Sequence, residues 1–232
     1  IGACDWSSDV CSSDLMTPPE PGSRPVETEL KLLLPGARAL ERLLDALGPE
    51  LDAQHQVNLY FDGDDGAWSA AGWAVRLRRE NDTLKLTVKT TGEARGDFVE
   101  RGEWESRLDP EREAALRDGG EPLLRAVDEL LGEQALPPRL RDAGLRPVGT
   151  MRNLRRRATL PGFEGLVVEC DETTYPNGDV RHEAELEVDD ADAAEEAVAR
   201  LRSIFDQQEL PWRPSAVSKR ERLERVLRGE SA

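Results

Sequence analysis

The stretch Val26-Glu27-Thr28-Glu29-Leu30-Lys31-Leu32 constrains the chain more than any other. Successive side chains of a β-strand point to opposite faces, so Glu27, Glu29 and Lys31 share one face while Leu30 and Leu32 share the other. A charge taken out of water costs several kcal/mol unless it is paired or bound to a metal. Three charges on one strand face therefore define either a solvated surface or a charged cavity.

The same alternation recurs in six further segments. Counting by twos gives Arg76, Arg78 and Glu80; Lys85, Thr87 and Lys89; Glu103 and Glu105; Arg155 and Arg157; Glu169 and Asp171; and Glu183, Glu185 and Glu187. The positions between them are mostly apolar, as in Val75 and Leu77, Leu84, Leu86 and Val88, or Leu186 and Val188. A sheet with its apolar face on helices and its charged face in water would show this, held by cross-strand ion pairs worth about 0.2–1 kcal/mol each. Such a sheet does not explain why some strands carry only carboxylates and others only Lys or Arg. A barrel with helices outside and a charged lumen does.

A chain of 232 residues suits one domain. No apolar run approaches the roughly 20 residues needed to cross a bilayer, so no membrane partner is expected. The net charge of −16 argues against general nucleic-acid binding, and a polyanion could bind only where Lys and Arg converge locally. Residues 1–15 (IGACDWSSDVCSSDL) have neither a basic flank nor a long apolar stretch and do not read as a signal peptide. They resemble sequencing-adapter read-through, which makes them a non-native extension with Met16 as the expected start. Residues 16–25 are Pro-rich and read as a disordered lead-in, leaving a domain over 26–228. Outside the extension Cys170 stands alone, which removes disulfide and cysteine-metal schemes and favours a reducing cytoplasm.

Leu40, Leu43, Leu44 and Leu47 mark an amphipathic helix over 37–47, ended by Gly48-Pro49. Strands are predicted over 54–62, 73–80, 83–90, 97–108, 148–160, 165–173 and 179–188, with Asn81-Asp82 as a hairpin turn. Helices are predicted over 110–117, 122–131, 191–206 and 215–228. The fold class is α+β, an eight-stranded antiparallel barrel with helices packed on the outside.

Carboxylate oxygens suit Mg²⁺ and Mn²⁺, and Arg and Lys match phosphate oxygens through charge-assisted hydrogen bonds. Metal plus cations fits phosphoryl transfer, which needs neutralisation and positioning more than a protein nucleophile. Competing motifs are weak. His55 and His182 lack metal-ligand spacing, and Gly63 to Gly66 is not followed by the GK[ST] of a phosphate loop.

The opening ETELK resembles the Glu-any-Glu-any-Lys signature of the CYTH family, the triphosphate tunnel metalloenzymes. NLYFD, AVRLRRENDTLKLTVK, RGEWE and HEAELEV follow in family order, with Ser218-Lys219 near the C-terminus. The resemblance is strongest to the bacterial inorganic triphosphatase branch. It implies a tunnel in which Glu27, Glu29, Asp171, Glu183 and Glu185 hold Mg²⁺ or Mn²⁺. It implies that Lys31, Arg76, Arg78, Lys89, Arg155 and Lys219 contact phosphate and carry catalysis, joined in substrate binding by Lys85 and Arg157. Glu103, Glu105 and Glu187 are further tunnel acids. The implied reaction is hydrolysis of a small triphosphate or short polyphosphate, with inorganic tripolyphosphate cleaved to pyrophosphate and phosphate. The alternatives are thiamine triphosphate hydrolysis, class IV-type adenylate cyclisation, and a module that grips polyphosphate without cutting it.

Overall fold

The computed structural model describes the backbone of residues 26–95, 98–132, 134, 136–188, 191–215 and 217–232. The extension and lead-in expected over 1–25 lie outside this set, as does the side chain of Glu27.

Ten antiparallel strands form one sheet. They are β1 (Val26–Leu34), β2 (Glu50–Asp62), β3 (Trp73–Glu80), β4 (Thr83–Thr90), β5 (Glu93–Arg95), β6 (Phe98–Leu108), β7 (Arg146–Thr159), β8 (Val167–Thr174), β9 (Val180–Glu187) and β10 (Arg213–Pro214). Eight of them close in the order β1-β9-β8-β7-β2-β3-β4-β6, and β6 pairs back to β1 through Glu27 with Arg101 and Glu29 with Val99. Closure removes the free sheet edges. The short β5 and β10 extend β6 and β1, and at three and two residues they are too brief to carry an alternation legible in sequence.

Among the described residues seven α-helices accompany the barrel: α1 (Ala37–Leu47), α2 (Ala67–Ala70), α3 (Glu113–Leu116), α4 (Gly120–Leu131), α5 (Pro138–Asp142), α6 (Ala191–Gln207) and α7 (Lys219–Leu227). None is long and apolar enough to cross a membrane. The apolar side chains of the strands face out and meet these helices. Leu40, Leu43 and Leu44 of α1 and Leu201 and Phe205 of α6 pack over Leu30, Leu32, Val168, Cys170 and Leu186. A separate core joins Leu123 and Val127 of α4, Leu116 of α3 and Leu140 of α5 to Val75, Leu77, Leu84, Leu86 and Val88. The apolar interior of this protein therefore lies outside its barrel.

Helix α7 is the exception in placement. Its Leu223 and Val226 pack on Tyr60, Met151 and Tyr175, and Leu223 is fully buried, so the helix covers one end of the barrel. The helix expected from Ser215 begins only at Lys219. Ser218 is its cap: the side-chain oxygen accepts the Glu221 N–H at 3.1 Å, and the Glu221 carboxylate accepts the Ser218 N–H at 2.7 Å. The segment expected as one helix over 110–117 is a 3₁₀ turn, Pro110–Arg112, followed by α3, with Asp109 accepting the Glu111 N–H at 2.9 Å.

Gly119 joins α3 to α4 with φ of 76°, and a Cβ there would sit 2.3 Å from the Leu145 carbonyl oxygen. Gly119→Ala combines left-handed strain with a backbone clash, so a loss of at least about 2 kcal/mol is expected in denaturant unfolding. A midpoint unchanged from wild type would refute it.

Candidate functional site

The closed barrel turns the charged faces of its strands inward around a cavity of about 720 Å³. The described side chains lining it include ten Lys or Arg and nine Glu. They are sorted by wall.

On the wall built by β1, β8 and β9, register places Glu185 opposite both Lys31 and Glu169, and Glu183 opposite Asp171. Each basic group that reaches this wall is shared. Lys31 Nζ lies 3.2 Å from Glu29 and 3.1 Å from Glu185. Arg155 of β7 makes a two-pronged contact with Asp171 at 2.9 and 2.7 Å, bonds Glu185 at 2.8 Å and pairs with Glu169. Lys219, from the first turn of α7, lies 2.6 Å from Glu185, 2.7 Å from Asp171 and 3.4 Å from Glu183. Burial pushes the Glu185 carboxyl up, but Lys219, Lys31 and Arg155 outweigh it and hold it well below the usual carboxylate range. Burial likewise opposes ionisation of Asp171, and Arg155 and Lys219 pull it down to about 2.

The opposite wall, from β3, β4 and β6, is basic. Arg78 stands opposite Lys85, Arg76 opposite Thr87, and Ala74 opposite Lys89. Glu105 and Glu103 of β6 stand opposite Thr87 and Lys89. Arg78 is the least compensated cation of this wall. Its Nε donates to the Asn58 side chain at 2.8 Å, while its nearest carboxylate, Glu80, is 3.6 Å away. Burial and the neighbouring positive charges of Arg76 and Arg155 push the Arg78 guanidinium down to about 10. An interior that disfavours a cation is one that favours an anion beside it.

Of the residues singled out in sequence, Glu29, Lys31, Arg76, Arg78, Lys85, Lys89, Arg155, Arg157, Glu185 and Lys219 all line this one cavity. Arg157 is peripheral and bound two-pronged by Asp52 at 2.7 and 2.5 Å, whereas Arg156 points outward to Glu41 on α1. Glu103, Glu105 and Glu187 also face the cavity. Asp171 and Glu183 do not. Both are fully buried behind the wall, Asp171 held by Arg155, Lys219 and Asn153, and Glu183 by Arg222 at 2.7 Å. The structure thus gives these two acids the task of fixing cations rather than facing a ligand. Among the described residues no three His, Cys, Asp or Glu side chains already converge as a metal-holding group. His182 pairs with Glu172 at 3.1 Å, away from the cavity lining, and His55 is exposed.

Sequence reasoning missed Arg101, which pairs with Glu29, and Arg220, whose guanidinium ties α7 to Asp62 and the Trp73 carbonyl. The alternation from Glu103 back through Arg101 carried the first. The second comes from a helix whose inward face no strand period reveals.

A closed antiparallel barrel with a two-signed lumen and helices outside defines a class of tunnel proteins built to enclose a small charged ligand. The chain belongs to the CYTH family: the CYTH domain matches residues 26–217. Among solved structures it is similar to HpAC1 from Hippeastrum, a candidate adenylyl cyclase described as having a dominant triphosphatase activity, with 26% identity and a TM-score of 0.71. That match covers 89% of this chain and 97% of HpAC1. A candidate adenylate cyclase from Bacillus halodurans shares the fold at 21% identity and a TM-score of 0.58, over 84% of this chain and 97% of its own. The PH1819 protein from Pyrococcus horikoshii does so at 19% and 0.55, over 85% and 99%. No curated protein matches the chain.

Proposed function

We propose that this protein is a divalent-metal-dependent triphosphatase that cleaves inorganic tripolyphosphate to pyrophosphate and phosphate. The observation that carries the reading is the enclosed lumen in which an acidic wall faces a basic one. Ten cations against nine acids leave the lining almost neutral, so it cannot by itself balance a polyanion. The substrate must bring positive charge with it, and the acidic wall is where that charge would sit.

The donor chemistry there fits Mg²⁺ or Mn²⁺, being all carboxylate oxygen and crowded enough that Lys31, Arg155 and Lys219 are each shared by two or more acids. Glu29 and Glu185 would hold the ion, joined by Glu27 of the same signature. A dication there would neutralise phosphate charge. Arg76, Arg78, Lys31, Arg155 and Lys219 grip the phosphate oxygens and hold the chain in line for attack. Asp171 and Glu183, from behind, keep Arg155, Lys219 and Arg222 aimed. The CYTH relationship and the triphosphatase activity described for HpAC1 support this reading.

Phosphate release from tripolyphosphate, thiamine triphosphate and ATP, each with Mg²⁺ or Mn²⁺, tests it. Tripolyphosphate is expected to turn over fastest, with no turnover in chelator. Glu29→Gln is expected to raise the metal concentration for half-maximal rate by at least about tenfold. Binding without turnover would instead indicate a polyphosphate-holding module. One observation favours a second reading on the same scaffold. The cavity has an uncharged rim at Ser69, Gly72, Trp73, Thr90 and Thr91. Its volume also falls within the roughly 300–1,000 Å³ that accommodates organic ligands. Cyclic AMP formed from ATP without phosphate release would favour the cyclase reading.

A further inference from the structure

The basic wall carries three acids, Glu80, Glu103 and Glu105, that neither the proposed metal contacts nor the proposed phosphate contacts use. Their placement is not random. The cations of this wall run in a line from Lys85 beside Arg78, through Arg76, to Lys89. Lys85 and Lys89 are four residues apart on β4, a span of about 13 Å at strand rise.

The two ends of the line are capped. Lys85 is held between Glu80 at 3.0 Å and Glu105 at 3.3 Å, and Lys89 lies 2.7 Å from Glu103. The middle is open by comparison. The acids nearest Arg76 are Glu105 at 3.7 Å and Glu103 at 4.0 Å, and the acid nearest Arg78 is Glu80 at 3.6 Å. All seven side chains line the cavity. An anion entering the lumen therefore meets unspent positive charge at Arg76 and Arg78 and carboxylates at both extremities.

We propose that Glu80 and Glu105 at one end of this line, and Glu103 at the other, fix the length of the anion the site accepts, admitting a chain of three phosphates and repelling a longer one. This rests on the triphosphatase reading above and adds its selectivity rule. Space does not set the limit, because the cavity has room for more than three phosphates need. Charge does: a fourth phosphate would have to lie beside Glu103 or beside the Glu80–Glu105 pair, and like charges so placed cost affinity. Selectivity of this kind depends on a repulsive element as much as on an attractive one.

The test compares kcat/KM for tripolyphosphate, tetrapolyphosphate and a long-chain polyphosphate in wild type, Glu103→Gln and Glu105→Gln. Glutamine keeps shape and hydrogen bonding while removing charge. Wild type is expected to prefer the three-phosphate chain. Each variant is expected to lower that preference about tenfold, chiefly through KM for the longer chains, with tripolyphosphate turnover within about threefold of wild type. Calorimetric titration without metal gives a second readout, in which the variants bind tetrapolyphosphate more tightly than wild type does. An unchanged ratio, or an equal gain for all three chains, would overturn the proposal. So would collapse of tripolyphosphate turnover that excess metal restores, since that would make these acids metal ligands. A wild-type protein that neither binds nor cuts tripolyphosphate would instead defeat the triphosphatase reading itself.

Discussion

Arg78→Met is expected to reduce kcat/KM for tripolyphosphate about a hundredfold while leaving the melting temperature equal to that of wild type or above it. The two halves have one cause. Arg78 is 7% exposed, its closest polar partner is a neutral amide, and burial with Arg76 and Arg155 nearby lowers its pKa from an ordinary value of 12.5 to about 10. A group whose folded pKa is depressed in its cationic form weakens the fold at neutral pH, here by about 3 kcal/mol at most. Removing the charge lifts that penalty, and methionine fills similar space. In the filled site the same charge would meet phosphate oxygens, where a charge-assisted contact is worth about 1.5–3 kcal/mol. Paired measurements of kcat/KM and melting temperature check it. A variant that loses stability and activity together would show Arg78 to be scaffold, not ligand contact.

Asp171→Asn should behave in the opposite way, destabilising the fold by about 3–5 kcal/mol because it strips the buried partner from two buried cations, Arg155 and Lys219. The wild-type acid response follows from the same carboxylate. Its folded pKa, about 2, lies below the unfolded value near 4, so its contribution is fully present above pH 4 and is lost as pH falls towards 2. Urea unfolding at pH values between 5 and 2 should show wild type losing about 2–3 kcal/mol from this group. The asparagine variant should show a shallower slope over that window. Equal slopes would mean that other carboxylates set the acid limit.

The barrel could be read in advance because a period of two is robust. Once Glu29 and Lys31 were assigned to one face and Leu30 and Leu32 to the other, every strand followed the same rule, and the lumen-facing set in β3, β4, β7 and β9 came out in register. What alternation cannot supply is depth along a strand. Glu183 and Glu185 alternate alike, yet Glu185 faces the cavity and Glu183 is sealed behind it, because α7 lays Arg222 over that end. The strand count was obscured only at β5 and β10, and the late start of α7 was written in the capping box Ser218 to Glu221. Arg220 went unnoticed since its partner, Asp62, is 158 positions away and also accepts the Gly63 and Trp68 N–H groups at 2.7 and 2.9 Å.

The placement of the two large cores outside the barrel has a consequence for how such a protein can change. Folding free energy is drawn from helix-on-sheet contacts at the periphery, whereas ligand chemistry is written on the opposite side of the same strands. A lumen side chain can be exchanged without disturbing a single apolar contact, provided its ionic partners are exchanged with it. Substrate preference can then drift while the shell stays constant, as befits a scaffold that still superposes on relatives sharing about a quarter of its residues.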